Sequence, residues 1–280
     1  MIRLYKKGWE AEILPFCGMN TIRLVIDGEE ILRSPRSLAE IEAGSCAYGI
    51  PLLLPPNRTR DGEFIFEGKK YQLPINETRL HNHLHGSLHL AKFYVTEQRE
   101  DCVTAVYDNV GEVYPFPFRI RVCYWLDHSG YCQRFEIQNT GAGAMPLTFG
   151  LHTTFLDKGW LRIPIKERWE RDERYIPTGE LKNLSETERM WKGGSISHGI
   201  ISGYYTSDSC RAEVGTVQYK VSENFDQWIL WNGDGKCSFI SIEPLCGAVN
   251  CLNSGKGLKI LQPGEWEKFD TKIHKMKYAI

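Results

Sequence analysis

Short runs of alternating apolar and polar residues, each closed by Gly, Asn, Asp or Pro, follow one another along most of the chain. Alternation of this kind predicts β-strands that bury one face. Residues 64–73 predict a tight hairpin around Gly68, and residues 121–138 predict a second hairpin around the turn 127–130. Strands therefore dominate the predicted secondary structure.

Helical patterns are scarce, and only residues 37–43 and 185–191 predict a turn or two of helix. The second segment opens with Ser185, followed three residues later by Glu188, which is the pattern of a capping box. Because parallel strands need a crossover connection, usually a helix, many strands without helices between them predict an all-β fold with antiparallel sheets, in a sandwich or a barrel. The chain has no repeat or linker, so we expect a single domain over residues 1–280, although two tightly joined halves would fit the same length.

The composition of the chain argues against nucleic-acid-binding, membrane-spanning and disulfide-rich proteins. The 280 residues are 42% hydrophobic, and their net charge is −1, so no basic field would draw the chain onto nucleic acid or an anionic membrane, and we expect a small neutral partner. No apolar run approaches the roughly 18 residues of a membrane helix, and residues 1–7 lack the apolar stretch of a signal peptide, which predicts a cytoplasmic protein. Nine cysteines stand singly without a Cys-x-x-Cys pair, so we expect reduced thiols and neither a disulfide framework nor a zinc knuckle.

Two candidate clusters lie in the first third of the chain. Residues 55–62 carry Arg58 and Arg60 among Pro, Asn and Gly, either as a solvated loop or as donors to hydroxyls or a carboxylate. Residues 80–89 carry four histidines. If the segment is extended, three of them share one face, which is a spacing that metals use, but no further ligand follows nearby. We expect no metal, with this run of His81, His83, His85 and His89 as the alternative.

Two further clusters lie in predicted strands. His152 falls on the polar side of an otherwise apolar strand, two residues after Gly150, which would leave room for a ligand. Glu243 follows a strongly β-forming run and precedes Pro244, which predicts a carboxylate at a strand end. Partial desolvation there would raise its pKa and make it a better base, whereas the simpler alternative is that both side chains face water.

At these residues the chain resembles the aldose 1-epimerase (galactose mutarotase) family across nearly its whole length. The resemblance consists of an ordered series of short motifs: Asn57-Arg58-Thr59, Gly62-Glu63-Phe64, Leu84-His85-Gly86, Leu151-His152-Thr153-Thr154-Phe155, Glu243-Pro244, Ala248-Val249-Asn250 and Leu261-Gln262-Pro263-Gly264-Glu265. Leu151 and Thr154 stand where the family has Asn and Tyr. The family's substrate-binding Asp has no clear match in residues 195–209, where His198 and Asp208 are the polar candidates.

The resemblance implies a large antiparallel β-sandwich that binds one sugar and interconverts its α and β anomers without a cofactor. It implies that His152 is the general acid that protonates the ring oxygen and Glu243 the general base that takes the proton of the anomeric hydroxyl. Arg58 and His85 would bind the sugar. Trp231 would pack on its apolar face, with Phe225 and Trp228 as further aromatic candidates.

Three alternatives to this free-sugar mutarotase, which we expect as a monomer or homodimer, stay open at this point. An epimerase of phosphorylated hexoses would use Arg58, Arg60 and Arg79 as phosphate partners. A sugar-binding protein of the same fold would keep the site without turnover. A metal-dependent enzyme would use the run of histidines.

Overall fold

A computed structural model describes residues 1–197 and 199–276, and strands make up most of it. The strands of the first 110 residues are β1 (Ile2–Lys6), β2 (Trp9–Leu14), β3 (Asn20–Ile26), β4 (Glu29–Glu30), β5 (Leu52–Leu53), β6 (Arg58–Arg60), β7 (Glu63–Phe66), β8 (Lys69–Gln72), β9 (Asn82–Leu84), β10 (Tyr94–Gln98) and β11 (Cys102–Asn109). The remaining strands are β12 (Phe118–Leu126), β13 (Gly130–Asn139), β14 (Met145–Leu147), β15 (Phe149–Leu151), β16 (Thr153–Leu156), β17 (Trp160–Arg162), β18 (Ile165–Arg171), β19 (Pro177–Asn183), β20 (Ser195–Ile196), β21 (Ser202–Ser207), β22 (Arg211–Val214), β23 (Val217–Val221), β24 (Gln227–Trp231), β25 (Phe239–Cys246), β26 (Lys259–Leu261) and β27 (Trp266–Lys275).

Two large antiparallel sheets dominate the architecture. One has nine strands in the order β10-β11-β12-β13-β27-β23-β22-β17-β20, and the other has eight, in the order β19-β18-β21-β24-β25-β15-β5 with β16 also pairing with β25. A four-stranded sheet, β1-β2-β3-β4, and three two-stranded ribbons, β14-β26, β6-β9 and β7-β8, complete the fold. The predicted all-β class is confirmed, in the form of a sandwich.

The main core lies between the two large sheets, where each contributes its apolar alternate positions. The Phe149 ring of β15 lies 5.0 Å from that of Phe269 in β27 and 5.3 Å from that of Phe135 in β13, between ring centroids. The hydroxyls of Thr153 and Tyr219 also meet across this interface at 3.0 Å. The opposite face of the eight-stranded sheet points away from this core and carries a second, smaller buried cluster that includes Tyr204, Ile229 and Leu245.

Local predictions from the sequence agree with the structure at both hairpins and both helices. β7 pairs with β8 and β12 pairs with β13. The helices are α1 (Leu38–Ala43), α2 (Glu186–Gly193) and α3 (Cys251–Ser254), with short 3-10 turns at Ser45–Ala47, Thr78–Leu80 and Leu88–Leu90. Ser185 caps α2 and forms the predicted capping box with Glu188, whereas α3 was not predicted. Within the described ranges, no helix has both the length and the apolar character needed to span a bilayer.

Candidate active site

A cavity of about 570 Å³ opens on the face of the eight-stranded sheet that points away from the main core. This volume lies within the range of about 300–1,000 Å³ that is usual for small-molecule sites. All of the predicted site residues line the cavity, although they are distributed over the sequence from residue 58 to residue 243: Arg58, His85, His152, Trp231 and Glu243. The structure thus brings the separate sequence clusters to one place.

His152 and Glu243 face each other as a cross-strand pair. Gly150 pairs with Leu245 in β15–β25, and Thr153 pairs with Ile242 in β16–β25. Both pairings have the same register, and this register places His152 opposite Glu243 on the cavity face. The imidazole Nε2 lies 3.4 Å from the carboxylate Oε1. The two groups therefore face a ligand side by side from one surface.

The prediction that Glu243 ends a strand is wrong, because β25 continues to Cys246 and Glu243 lies inside it. Pro244 is tolerated there because the ladder toward β15 and β16 is interrupted between their paired residues, so no donor is needed from its nitrogen. On the other side β24 pairs throughout, with Ile229 opposite Glu243. The carboxylate therefore has a rigid base in the sheet and is only 2% exposed.

Burial shifts the two pKa values in opposite directions. Desolvation raises the pKa of Glu243 to about 8, against a smaller lowering by the charge of Arg58. Desolvation also lowers the pKa of His152 to about 4. Both shifts favour the uncharged form of the side chain. Near neutral pH the imidazole of the ligand-free pair is therefore neutral, and the one titratable proton of the pair resides on the carboxyl of Glu243.

Hydroxyl groups orient the other edge of the imidazole. His152 Nδ1 lies 3.3 Å from Thr154 Oγ1, which in turn lies 3.0 Å from Ser241 Oγ. Thr154 and Ser241 are paired across β16 and β25, one step along the same face from His152 and Glu243. Thr154 Oγ1 also donates to the carbonyl of His152 at 3.4 Å, which lets it accept the proton of Nδ1. Nε2, the nitrogen that faces the carboxyl, then keeps a free lone pair that can accept a proton.

Gly150 does not leave room for a ligand, as its position before His152 had suggested. A Cβ at this glycine would lie 3.0 Å from Leu245 Cγ and 3.0 Å from Pro56 Cβ. Those two side chains already occupy the space. The glycine is needed for close packing beside the cavity and makes no room within it.

Arg58 is held by a carboxylate that the sequence analysis did not select. Its Nη2 and Nε donate to the two carboxylate oxygens of Glu77 at 2.6 and 2.8 Å. Its Nη1 donates to Tyr204 Oη at 2.6 Å, and that hydroxyl donates to Asn57 Oδ1 at 3.2 Å. Burial acts to lower the pKa of Arg58, but its bonds with Glu77 and Tyr204 raise it overall. Arg58 is a fixed cation whose charge is matched by one carboxylate.

His85 reaches the cavity from a sharp turn of the backbone. Its φ is +66°, and its N–H donates to the carbonyl of Asn57 at 2.8 Å. The next residue, Gly86, also has a φ of +66°, and a Cβ there would lie 2.0 Å from the carbonyl oxygen of Leu54, so only glycine fits. The ring of His85 meets that of His152 edge to face at 5.2 Å between centroids.

Two buried polar atoms of the cavity lining have no protein partner in the part of the chain that the structure describes: His85 Nδ1 and Glu243 Oε2. Buried polar groups are normally hydrogen-bonded. Both atoms belong to residues that line the same cavity, so a ligand with hydroxyl groups would satisfy them.

The other histidines of the run do not join His85. His81 is exposed and contacts Asp61 Oδ1 at 3.0 Å, and His83 Nδ1 contacts the carbonyl of Pro74 at 2.7 Å. Positive φ values at His81 and His85 break the extended segment that would have aligned the side chains. Among the described residues, no three His, Cys, Asp or Glu side chains are placed to hold a metal ion.

Several secondary candidates lie elsewhere. Arg60 forms an ion pair with Asp172, and Asp208 forms an exposed ion pair with Lys192 at 2.8 Å. His198 lies outside the described residues. Phe225 and Trp228 belong to the main core, so Trp231 is the one of the three aromatic candidates that lines the cavity.

Sequence reasoning missed five polar residues of the lining: Asn57, Arg171, Tyr175, Ser202 and Tyr204. Asn57 directly precedes Arg58 and belongs to the Asn57-Arg58-Thr59 motif. Tyr204 lies opposite Ile229, which lies opposite Glu243, so it belongs to the same cross-strand row. No local pattern marks Arg171 or Tyr175.

Comparisons with known proteins show the family and the fold of the chain. The sequence profile of the aldose 1-epimerase family matches residues 20–274. The uncharacterized protein YihR of Escherichia coli strain K12 is 27% identical over 261 residues, which cover 81% of this chain and 83% of that protein. A crystal structure of a galactose mutarotase-like protein from Clostridium acetobutylicum superposes with a TM-score of 0.91 at 26% identity, covering 98% of this chain and 95% of that chain. A GalM/aldose epimerase homologue from C. elegans has the same fold, with a TM-score of 0.81 at 17% identity and coverage of 98% and 97%.

Proposed function

The chain belongs to the aldose 1-epimerase family of carbohydrate isomerases, and on this premise we propose that it is a mutarotase that interconverts the α and β anomers of an aldohexose. The observation that carries this proposal is the buried contact between His152 Nε2 and Glu243 Oε1 at 3.4 Å on the floor of the cavity. Mutarotation needs one group that takes a proton from the anomeric hydroxyl and one that gives a proton to the ring oxygen, and this pair supplies both.

In the proposed reaction the sugar ring lies over the row formed by Ile229, Glu243 and His152. Glu243 takes the proton of the anomeric hydroxyl while His152 gives a proton to the ring oxygen, and the C1–O5 bond breaks to leave the open-chain aldehyde. Rotation about C1–C2 presents the other face of the carbonyl. Ring closure then returns both protons, so neither substrate nor enzyme gains or loses a proton over the cycle.

His152 and Glu243 together hold one titratable proton throughout the reaction. This proton is on His152 before ring opening and on Glu243 after it. Ring opening begins with a protonated imidazole and an ionised carboxylate, and it ends with both groups uncharged. Burial favours the uncharged arrangement in the ligand-free cavity. A proton must therefore pass from Glu243 to His152 before a cyclic sugar can open, and their direct contact provides the route.

The remaining residues bind and orient the sugar. His85 Nδ1 and Glu243 Oε2 offer unpartnered polar atoms to the ring oxygen and hydroxyls. Trp231, with its side chain 6.1 Å from the His152 ring between centroids, offers an apolar surface to one face of the pyranose. Arg58 is held rigid by Glu77, so it can direct its remaining donors to hydroxyls without losing rotational freedom on binding.

The test is the rate at which a freshly dissolved pure anomer of glucose or galactose reaches equilibrium, followed by optical rotation. We expect His152→Asn and Glu243→Gln each to lower kcat by about 10²- to 10⁴-fold, the usual contribution of a positioned acid or base. Because the two groups act as one unit, the double variant should lose little more than either single variant.

Asp208→Asn is the matched control, since Asp208 pairs with Lys192 away from the cavity, and it should retain the full rate. Full activity in either single variant would refute the assigned roles. Calorimetric binding of a hexose without any rate acceleration would instead support a sugar-binding protein.

A further inference from the structure

Arg171 is a cation of the cavity lining that no carboxylate neutralises among residues 1–197 and 199–276. Its Nη1 and Nη2 donate to the hydroxyl and the carbonyl of Ser202 at 3.4 and 3.0 Å, and both acceptors are uncharged. Arg58, the other arginine of the lining, differs in this respect, because Glu77 binds it through both carboxylate oxygens. One unbalanced positive charge therefore remains at this end of the cavity.

Two aromatic rings hold the Arg171 guanidinium in place. Its central carbon lies 4.7 Å from the ring centroid of Tyr204 and 5.3 Å from that of Tyr175. The central carbon of the Arg58 guanidinium lies 5.0 Å from the ring centroid of the same Tyr175. Two guanidinium groups thus share one tyrosine ring while Glu77 balances only one of them. A cation fixed by stacking keeps free N–H donors and loses little entropy when it binds an anion.

The position of Arg171 relative to the acid–base pair fits a single hexose. Arg171 rests on Ser202 and Tyr204 of β21, and β21 is separated from β25 only by β24. Two strand spacings amount to about 10 Å. This is comparable with the length of a hexose whose anomeric carbon lies at Glu243 and whose C6 substituent points toward β21.

From these contacts we propose that the cavity selects hexoses that carry an anionic group on C6, such as a phosphate, sulfate or carboxylate, with Arg171 as the residue that binds this group. The inference rests on the proposed mutarotase activity and specifies the substrate class of the same site. It assigns the anion to a residue that sequence reasoning did not select, since Arg60 is occupied by Asp172 and Arg79 does not line the cavity.

The experiment measures anomer exchange at equilibrium by NMR, which needs no pure anomer. The substrates are glucose, glucose 6-phosphate, glucose 6-sulfate and glucuronate, with the galactose series in parallel, and the three anions separate tetrahedral from planar groups. We expect kcat/KM to be about ten- to a hundred-fold higher for at least one anionic sugar than for the unsubstituted sugar, as charge-assisted hydrogen bonds imply. Added salt should reduce this ratio.

Arg171→Gln keeps hydrogen-bonding capacity without the charge and should bring the ratio close to one. Arg79→Gln is the matched control and should leave the ratio unchanged, because Arg79 is an exposed arginine outside the cavity. The melting temperature of each variant shows whether it is folded.

Two results would overturn the inference: an unsubstituted sugar that reacts as fast as its anionic derivatives, or a ratio that survives Arg171→Gln. In both cases the mutarotase proposal stands. If no sugar is turned over, the mutarotase proposal fails, and calorimetry with glucose 6-phosphate decides the inference separately. The inference is supported if Arg171→Gln abolishes the binding of glucose 6-phosphate and Arg79→Gln leaves it intact. The inference fails if the wild type does not bind glucose 6-phosphate.

Discussion

The pKa of Glu243 and its position within a strand both depend on residues that are distant from it in the sequence. The sequence marks Glu243 by a following proline, and that mark predicted a carboxylate at the end of a strand. It did not predict that the strand continues through Pro244, because the interruption of the ladder depends on the pairing with β15 and β16. The shifted pKa values likewise depend on burial in the folded chain, which no local pattern contains.

The proposed acid–base roles of His152 and Glu243 predict a pH profile of kcat/KM that is flat between two limits. The reactive state holds one proton between His152 and Glu243. A second proton is added as the pH falls through about 4, and the single proton is lost as the pH rises through about 8. We expect kcat/KM to be constant between these limits and to fall by about tenfold per pH unit outside them.

The measurement is anomer exchange in buffers of constant ionic strength, corrected for the spontaneous rate. The residual activity of Glu243→Gln should lack the limit near pH 8. A wild-type profile that falls already between pH 6 and 7 would contradict the single shared proton.

Among the elements, those with a complete local signal were predictable and those without one were not. Ser185 and Glu188 form the capping box of α2, and their spacing made this helix predictable. In contrast, α3 has only four residues and lies between Asn250 and Gly255, which both have left-handed backbone conformations. The histidine run was misleading for a similar reason. Its left-handed turns at His81 and His85 occur at residues other than glycine, where such turns are rare.

Removing the cap of α2 tests the stability of this element. In Ser185→Ala the amide of Glu188 loses its acceptor, and we expect a loss of about 1 kcal/mol in the free energy of unfolding. For a chain of this size the melting temperature should fall by about 2–4 °C. Ser185→Asn, which keeps a capping acceptor, should remain close to the wild type in calorimetry. An unchanged melting temperature in the alanine variant would show that the cap contributes nothing.

For the whole molecule, the class of the fold was predictable but the order of its strands was not. Alternation predicts strands and buried faces, yet it does not say that β27, near the end of the described chain, pairs with β13 and β23. The pairing with β13 joins residues 128 to 144 positions apart and the pairing with β23 residues 50 to 58 apart, and many other pairings would bury the same apolar faces. The convergence of the site residues depends on this order, so only the resemblance to a family predicted it.

The contact between the two large sheets is the feature on which the stability of the whole molecule should depend most. Phe149 packs there against the rings of Phe135, Phe225 and Phe269. We expect Phe149→Ala to lower the free energy of unfolding by about 3–5 kcal/mol through the lost contacts and the cavity left behind. Denaturant unfolding gives the value. Ile65→Ala, at an exposed position of β7, is the control, and similar losses in both variants would contradict a core centred on Phe149.

The shared register of β15 and β16 on β25 has a further consequence for how this chain can change over time. Successive side chains of a strand point to opposite faces, so inserting or deleting one residue between Gly150 and Thr153 would turn either His152 or its hydroxyl neighbours into the apolar interior. The loops around the cavity tolerate changes in length far more readily. We therefore expect related chains to differ in substrate specificity through the length of the loops around the cavity. The number of residues that separates Gly150 from Thr153 should stay the same.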